Sequence, residues 1–222
     1  MIPVASPRDL APLIDHTVLR PDASADDVAR ACDEALAHGF AGVCVRETHL
    51  RLVVRRLGGR DPLAIAVADF PRGDGPASAR AEEVRRLAGE GAREVDVVFP
   101  LPALAARDHA AALRDLEAVV RAAGSASLKV ILETAALDTA EKGAACALAK
   151  AAGAAFVKTS TGFGPGGATE ADVALLRALV GAGTGVKASG GIRTATDALR
   201  MVRAGASRLG ASASVAIVTG TF

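Results

Sequence analysis

A lysine at the end of an apolar stretch is the feature of this sequence that most clearly points to chemistry. Residues 155–162 read Ala-Phe-Val-Lys-Thr-Ser-Thr-Gly, so a strand-like approach leads into hydroxyl groups and a glycine. Because side chains alternate between the two faces of a strand, Phe156 and Lys158 share one face and Val157 takes the other. If Val157 packs on a helix, Lys158 points into a barrel interior or a cleft, where an amine must be paired or neutral. The alternative is a lysine that reaches water from the strand end.

Two more charged residues lie inside apolar strands. Asp96 stands in the strand predicted at 94–98, and Lys187 stands in the one predicted at 185–188. Their apolar neighbours should face helices, which leaves the charged side chains on the inner face with Lys158. A carboxylate bonded to a loop backbone would account for Asp96 alone. Three charges on one inner face argue against a purely structural role, because burying charge is costly.

Two lysines on neighbouring strands have a definite chemical use. An ammonium beside a second amine in a desolvated site lowers the pKa of that amine, which can then act as a nucleophile at neutral pH. Attack on a carbonyl gives a Schiff base, and a nearby carboxylate can relay protons while a carbon–carbon bond is made or broken. We expect no metal and no other cofactor, since the 4 histidines are scattered and show no ligand spacing.

Glycine-rich loops predict a phosphate site. The sequence Ser189-Gly190-Gly191 follows the seventh predicted strand, and Gly210-Ala211-Ser212 belongs to the eighth and its exit, with Arg193 nearby. Barrels often bind phosphate through the backbone N–H groups of these two loops. Because glycine also ends many helices, each loop alone is only weak evidence for a phosphate site. The two loops together favour a site that binds an anion.

The elements that must position these groups alternate along the chain. Eight strand-then-helix units with short connections predict an α/β fold, a single (β/α)8 TIM barrel over residues 1–222. An open doubly wound sheet is the alternative, but it would leave two edges to protect. The segment Ile14-Asp15-His16-Thr17 is either the edge of a site or a polar turn. We expect Pro100 and Pro102 to break the chain after the fourth strand.

Composition excludes several classes of protein. The chain has 222 residues, a formal net charge of +1 and 3% aromatic residues, so it has neither a basic stripe nor stacking groups for nucleic acid. Cys32, Cys44 and Cys146 are isolated among apolar residues and should be reduced core thiols. Neither a signal peptide nor a membrane-spanning stretch is recognisable. We therefore expect a cytoplasmic protein that binds neither nucleic acid nor membrane.

Five segments resemble the deoxyribose-phosphate aldolase family: residues 14–17, 94–98, 156–164, 186–193 and 208–212. The resemblance implies a class I aldolase on a (β/α)8 barrel, which reversibly cleaves 2-deoxy-D-ribose 5-phosphate into acetaldehyde and D-glyceraldehyde 3-phosphate. It implies that Lys158 forms the Schiff base and that Asp96 and Lys187 are the proton donor and acceptor. The substrate and phosphate contacts are expected at Asp15, Thr17, Thr161, Gly162, Gly190, Gly191, Arg193, Gly210 and Ser212.

The sequence departs from the family pattern at a few positions. Arg46 stands where an asparagine is expected, and the sequence ends in Phe222 where some members carry a tyrosine. The expected partners are a phosphorylated sugar and an aldehyde, with a homodimer as one open assembly state. Two alternatives remain open at this point: an aldolase for another phosphorylated sugar or a bare aldehyde, and a phosphosugar-binding barrel without catalysis.

Overall fold

Eight parallel strands close into a barrel in the computed structural model, which describes residues 4–222. Neighbouring strands pair in sequence order, and β1 pairs with β8 to complete the ring. The strands are β1 Ile14–Val18, β2 Gly42–Val45, β3 Leu63–Ala68, β4 Glu94–Val98, β5 Ser127–Ile131, β6 Phe156–Lys158, β7 Gly185–Ser189 and β8 Arg208–Ala211. The predicted (β/α)8 barrel is confirmed, and the open sheet is not observed. The extent of the domain, residues 1–222, stays a prediction.

Helices surround the barrel and connect the strands. They are α1 Ala25–His38, α2 Glu47–Leu57, α3 Ala77–Gly89, α4 Leu101–Ala105, α5 His109–Ala123, α6 Thr139–Ala151, α7 Glu170–Val180, α8 Ala195–Arg203 and α9 Ser214–Thr219. A 3-10 helix, Pro7–Leu13, precedes β1, and a second one, Thr134–Ala136, follows β5. None of the helices within residues 4–222 is long and apolar enough to cross a membrane.

Capping residues fix where several helices begin and end. The Ser24 hydroxyl accepts a hydrogen bond from the Asp27 N–H at 3.1 Å, and Thr194 accepts one from the Asp197 N–H at the same distance. Each bond satisfies a backbone donor that has no partner inside the helix. Gly39 ends α1 with φ 72°, a left-handed conformation that glycine adopts without steric cost.

One local prediction needs correction, and another is settled. Helix α4 forms at Leu101–Ala105 where the prolines were expected to break the chain, because proline in the first helical turn loses no intrahelical hydrogen bond. The segment at 14–17 is not a polar turn but part of β1, and its residues His16 and Thr17 lie at the edge of the cavity described below.

The hydrophobic core lies in the layer between strands and helices. Val95 and Val97 of β4 belong to this layer and are fully buried, while Asp96 faces the barrel interior. Inside the barrel, Leu19, Cys44, Ile65 and Val67 form a small apolar cluster, with Leu63 and Phe70 at its edge. The rest of the interior includes several buried charged side chains, among them Asp96, Lys129 and Lys187.

The three cysteines are buried and unpaired, as predicted. Burial raises the pKa of Cys32 to about 11 and that of Cys146 to about 12. Burial likewise raises the pKa of Cys44 to about 11, although this thiol lies inside the barrel. The thiols are therefore protonated at neutral pH and pack as small apolar groups.

A buried arginine ties α3 to α5 and to the ends of two strands. The Arg80 side chain is 1% exposed. Its Nε donates to Asp115 Oδ1 at 3.0 Å, and its Nη2 donates to the Val98 carbonyl at 2.6 Å. Its Nη1 donates to Asp69 in the loop after β3. Removing the guanidinium would leave two carboxylates in a desolvated site.

We expect Arg80→Met to lower the free energy of unfolding by about 3–5 kcal/mol, the cost of breaking a buried ion pair. Urea unfolding followed by circular dichroism measures the difference. Arg85→Met is the matched control, since Arg85 is exposed on the same helix and pairs with Glu82; it should cost less than about 1 kcal/mol. Equal losses in the two variants would show that the buried pairs add nothing.

Candidate active site

Asp96 lies at the centre of a group of buried lysines. Its Oδ1 accepts a hydrogen bond from Lys129 Nζ at 2.8 Å, and its Oδ2 accepts from Lys158 Nζ at 2.9 Å and from Lys187 Nζ at 2.8 Å. Lys158 is 3% exposed, and the other three residues are fully buried. Lys158 thus does not reach into water, and Asp96 is bonded to lysines and not to a loop backbone.

Strand register brings these side chains together. In the paired strands β4 and β5, Asp96 stands opposite Lys129, and in β6 and β7, Lys158 stands opposite Lys187. The flanking residues Val157 and Val186 are fully buried in the outer layer, so the lysines must point inward. Apolar strands that carry inward-facing charged residues at neighbouring register positions are therefore enough to bring these four side chains together.

A second tier of charges lies next to these lysines. Lys187 Nζ also donates to Asp15 Oδ2, and Asp15 Oδ1 accepts from Arg208 Nη1 at 2.7 Å. Lys129 Nζ lies 2.6 Å from Glu94 Oε2, which also accepts from Arg208 Nη1 at 3.0 Å. Every carboxylate of the two tiers is shared between cations. The complete lysine cluster consists of Asp15, Glu94, Asp96, Lys129, Lys158, Lys187 and Arg208.

The lysine cluster holds four basic side chains and three carboxylates, so full ionisation would leave one unbalanced positive charge. Lys129 and Lys187 each lie within ion-pair distance of two or more carboxylates. Lys158 pairs with Asp96 alone, on an oxygen that it shares with Lys187. Lys158 is therefore the basic side chain of the cluster with the fewest counter-charges, and an unpaired charge in a desolvated site is unfavourable.

The surrounding charges fix the protonation of the other members. Burial alone would lower the pKa of Lys187, but the carboxylates of Asp15 and Asp96 outweigh it and raise that pKa above its usual range. Burial would raise the pKa of Asp96, but Lys129, Lys158 and Lys187 outweigh it, and the pKa lies well below its ordinary value. Lys187 is therefore a cation and Asp96 an anion at neutral pH.

A cavity of about 570 Å³ opens beside Lys158 at the carboxyl ends of the strands. Its walls come from the end of β1, from α1 and from the loops after β6, β7 and β8. Lys158 is the member of the lysine cluster that lines it. The predicted substrate and phosphate residues that line it are Thr17, Thr161, Gly162, Gly190, Gly191, Arg193, Gly210 and Ser212. Asp15 instead is fully buried against Lys187.

The glycines that line the cavity differ in how much space surrounds the position where a Cβ atom would lie. Gly191 has φ 81° and open space where a side chain would begin, so its backbone can be approached closely. A Cβ on Gly190 would lie 2.9 Å from Gly167 Cα, so this glycine permits two loops to pack. A Cβ on Gly210 would lie 3.0 Å from Lys187 Cε. Gly210 therefore leaves room for the lysine as well as for a ligand.

A hydrogen-bonded chain that the sequence reasoning missed anchors the loop after β8. His16 Nε2 lies 2.7 Å from Glu34 Oε2 on α1, and its Nδ1 lies 2.8 Å from Ser214 Oγ at the start of α9. Ser214 Oγ donates to the Ala211 carbonyl at 2.9 Å. His16 thus connects the end of β1 to the segment that contains Ser212.

Three members of the lysine cluster were also missed. Lys129, Glu94 and Arg208 were treated as parts of strands and not as site residues. The alternation that selected Asp96 applies equally to Glu94, two residues earlier, and to Lys129 between buried apolar neighbours, so the signal was present. Among residues 4–222, no three His, Cys, Asp or Glu side chains are arranged to hold a metal ion.

Comparison with solved structures identifies the class of barrel. A crystal structure from Coccidioides immitis, provisionally named a deoxyribose-phosphate aldolase, superposes with a TM-score of 0.94 at 42% identity and covers 97% of this chain and 87% of that one. A deoxyribose phosphate aldolase from Aeropyrum pernix, described as a unique tetramer, has a TM-score of 0.88 at 34% identity over 97% and 92% of the chains. The fold is that of the barrel aldolases.

Sequence comparison then gives the family. The model described as "DeoC/LacD family aldolase" matches residues 10–221. A deoxyribose-phosphate aldolase from Listeria welshimeri is 47% identical over 212 residues, which are 95% of each chain. The chain belongs to the DeoC/LacD family of aldolases, and the resemblance noted in the sequence is confirmed.

The charge of Asp15 should stabilise the fold in a pH-dependent way. Burial would raise its pKa, but Lys187, Lys129 and Arg208 outweigh burial and lower it. A lowered folded-state pKa contributes stability above the unfolded value, near 3.9, and that contribution is lost as the pH falls through the folded pKa. Asp15→Asn should therefore cost about 3–5 kcal/mol of unfolding free energy at neutral pH and progressively less below about pH 4.

Urea unfolding of the parent and of Asp15→Asn across pH 3 to 8 measures this difference. Asp22→Asn is the control, because Asp22 is 82% exposed and its nearest cation is 4.0 Å away. A deficit in Asp15→Asn that stays constant down to the lowest pH would show that the carboxylate charge is not its cause.

Proposed function

We propose that this member of the family is a class I deoxyribose-phosphate aldolase, an aldehyde-lyase that reversibly cleaves 2-deoxy-D-ribose 5-phosphate into D-glyceraldehyde 3-phosphate and acetaldehyde. The observation that carries the proposal is the position of Lys158. This amine lies at the boundary between the lysine cluster and the cavity, and it shares its single carboxylate with another cation. Such an amine can add to a carbonyl at neutral pH.

The reaction follows from this placement. The neutral amine of Lys158 adds to C1 of the open-chain sugar, water leaves, and a protonated Schiff base forms. Loss of the proton from the C3 hydroxyl breaks the C2–C3 bond and releases D-glyceraldehyde 3-phosphate, while the bonding electrons move into the Schiff base and give an enamine. Protonation at C2 and hydrolysis then release acetaldehyde and restore the amine. Asp96 accepts a hydrogen bond from Lys158 Nζ, and Lys187 donates one to the same carboxylate. Asp96 and Lys187 are therefore the proposed proton acceptor and donor.

The phosphate of the substrate is assigned to the loops after β7 and β8. Gly191 and Ser212 line the cavity, and within residues 4–222 their N–H groups donate no hydrogen bond to the chain. Arg193 adds an exposed cation on the same wall. Free backbone donors beside a guanidinium match an anion with several oxygens.

Thr17, Thr161, Gly162 and Gly190 are proposed to contact the sugar chain between Lys158 and these loops, since they line the same cavity. Asp15 is assigned to holding Lys187 as a cation. A cytoplasmic location is supported by three buried, unpaired thiols, which suit a reducing compartment. The homodimer stays a prediction.

Hydride trapping tests the role of Lys158. Acetaldehyde followed by borohydride should leave a reduced adduct on Lys158, because only a neutral amine adds to the carbonyl. Peptide mass spectrometry locates it among the chain's five lysines. Lys158→Leu should abolish the adduct, and Lys187→Leu should shift the remaining activity to higher pH by removing the neighbouring cation.

Lys150→Leu is the matched control, since Lys150 is exposed on α6 and its loss should leave both adduct and turnover unchanged. An adduct on Lys187 with Lys158 unmodified would reverse the two roles. No adduct on either lysine would favour a phosphosugar-binding barrel without catalysis.

Arg193 provides a test of the phosphate assignment. Arg193→Met should raise the KM for 2-deoxyribose 5-phosphate by about 10-fold, the scale of one lost charge-assisted hydrogen bond. Turnover of unphosphorylated 2-deoxyribose should stay near that of the parent. Arg203→Met, at the other end of α8, removes an equally exposed charge and should change neither value. If Arg193→Met weakens both substrates equally, the phosphate lies elsewhere.

A further inference from the structure

The cavity beside Lys158 is open on one half of the barrel only. Its lining residues come from positions 16–34, 158–163, 189–193 and 210–212. Within residues 4–222, the strands β2 to β5 and the loops after them contribute none of the lining. Something in the mouth of the barrel must therefore separate Lys158 from that half.

Phe163 occupies this position. It follows β6 and lines the cavity, yet its ring meets the ring of Phe70, from the loop after β3, edge to face with 5.4 Å between centroids. The Arg46 guanidinium, from the end of β2, lies 5.5 Å from the Phe70 ring centre and 5.6 Å from that of Phe163. The Phe163 side chain thus crosses the mouth from β6 toward β2 and β3.

A hydrogen bond to the backbone holds the Arg46 side chain in place. Its Nε donates to the Leu19 carbonyl, beyond β1, at 2.7 Å. A cation held over two aromatic faces stabilises both of them electrostatically. The arginine that departs from the family pattern therefore joins the ends of β1, β2 and β3 to the Phe163 ring.

The loop that carries Phe163 is also held from β5. Glu133 Oε2 accepts hydrogen bonds from the N–H and the hydroxyl of Thr161, and Thr161 Oγ1 accepts one from the Phe163 N–H at 3.0 Å. A Cβ on Gly164 would lie 2.6 Å from Glu133 Cδ, so only glycine allows the loop to come this close. The Phe163 backbone is consequently anchored next to Lys158.

We infer that Phe163 is a specificity-determining residue, and that its ring limits the size of the carbonyl compound that Lys158 can hold as an enamine. The inference rests on the proposed function. When the phosphorylated aldehyde fills the half of the cavity that contains Arg193 and Ser212, an extra methyl group on the enamine has to point toward Phe163. Arg46 and Phe70 are positioning residues, which act by keeping the ring in place.

The test is the choice between two donor aldehydes in the synthetic direction. With D-glyceraldehyde 3-phosphate saturating, kcat/KM is measured for acetaldehyde and for propanal, which carries one more methylene. One methylene in a hydrophobic pocket changes selectivity by about 10- to 200-fold. Phe163→Ala should therefore raise the propanal-to-acetaldehyde ratio at least about 10-fold. Arg46→Gln should raise it by a smaller factor, since the ring remains but loses its support.

Leu179→Ala is the matched control, because Leu179 is an exposed apolar residue on α7 and its truncation should leave the ratio unchanged. Circular dichroism checks the fold of each variant. If Phe163→Ala does not fold, Phe163→Leu replaces it, and the same ratio should rise by a smaller factor. A ratio in the folded Phe163 variant equal to that of the parent, with the acetaldehyde adduct still on Lys158, overturns this inference alone. Absence of that adduct in the parent protein overturns the proposed function and the inference with it.

Discussion

The sharing of one carboxylate by three lysines is the interaction on which the rest of the site depends. Asp96 accepts hydrogen bonds from Lys129, Lys158 and Lys187 in the barrel interior, where an uncompensated charge would be very unfavourable. The second tier of Asp15, Glu94 and Arg208 makes this arrangement stable, because it supplies a further counter-charge to every lysine except Lys158. The one amine with an incomplete set of partners is also the one next to the cavity. The reactivity proposed for Lys158 is thus a consequence of how charges are distributed over seven residues and not of any property of Lys158 alone.

The barrel supports this distribution by dividing its interior. On the side of β2 and β3, Cys44, Ile65 and Val67 fill the interior with apolar groups. The charged side chains come from β1 and from β4 to β8, and the loops proposed to bind phosphate follow the last two of these strands. Because the outer layer between strands and helices carries the hydrophobic core, the inner face is free to hold groups that cost stability. The same division places the aromatic contact of Phe70 and Phe163 above the apolar side, so that the cavity opens above the charged one.

Much of the fold and the centre of the site could be predicted from the sequence, since both depend on local patterns. Alternation placed Asp96, Lys158 and Lys187 on one face, and capping residues such as Ser24 and Thr194 marked helix starts. What could not be predicted depends on contacts between distant segments. The partners of Arg46 come from the ends of β1, β3 and β6, and the partners of His16 lie 18 and 198 residues away. Lys129 is different: its place on the inner face is visible in the alternation, but the sequence does not indicate which carboxylates it pairs with.

The burial of the lysine cluster has a practical consequence for handling the protein. Of the chain's five lysines, Lys129, Lys158 and Lys187 lie inside the barrel, and Lys142 is tied to Asp172 at 2.6 Å. Lys150, exposed in the last turn of α6, is the lysine most open to reagents in the solvent. Helices of a (β/α)8 barrel run back from the carboxyl ends of the strands, so Lys150 lies on the face opposite the cavity. Coupling to an amine-reactive support through this side chain would fix the molecule with its substrate entrance turned away from the surface.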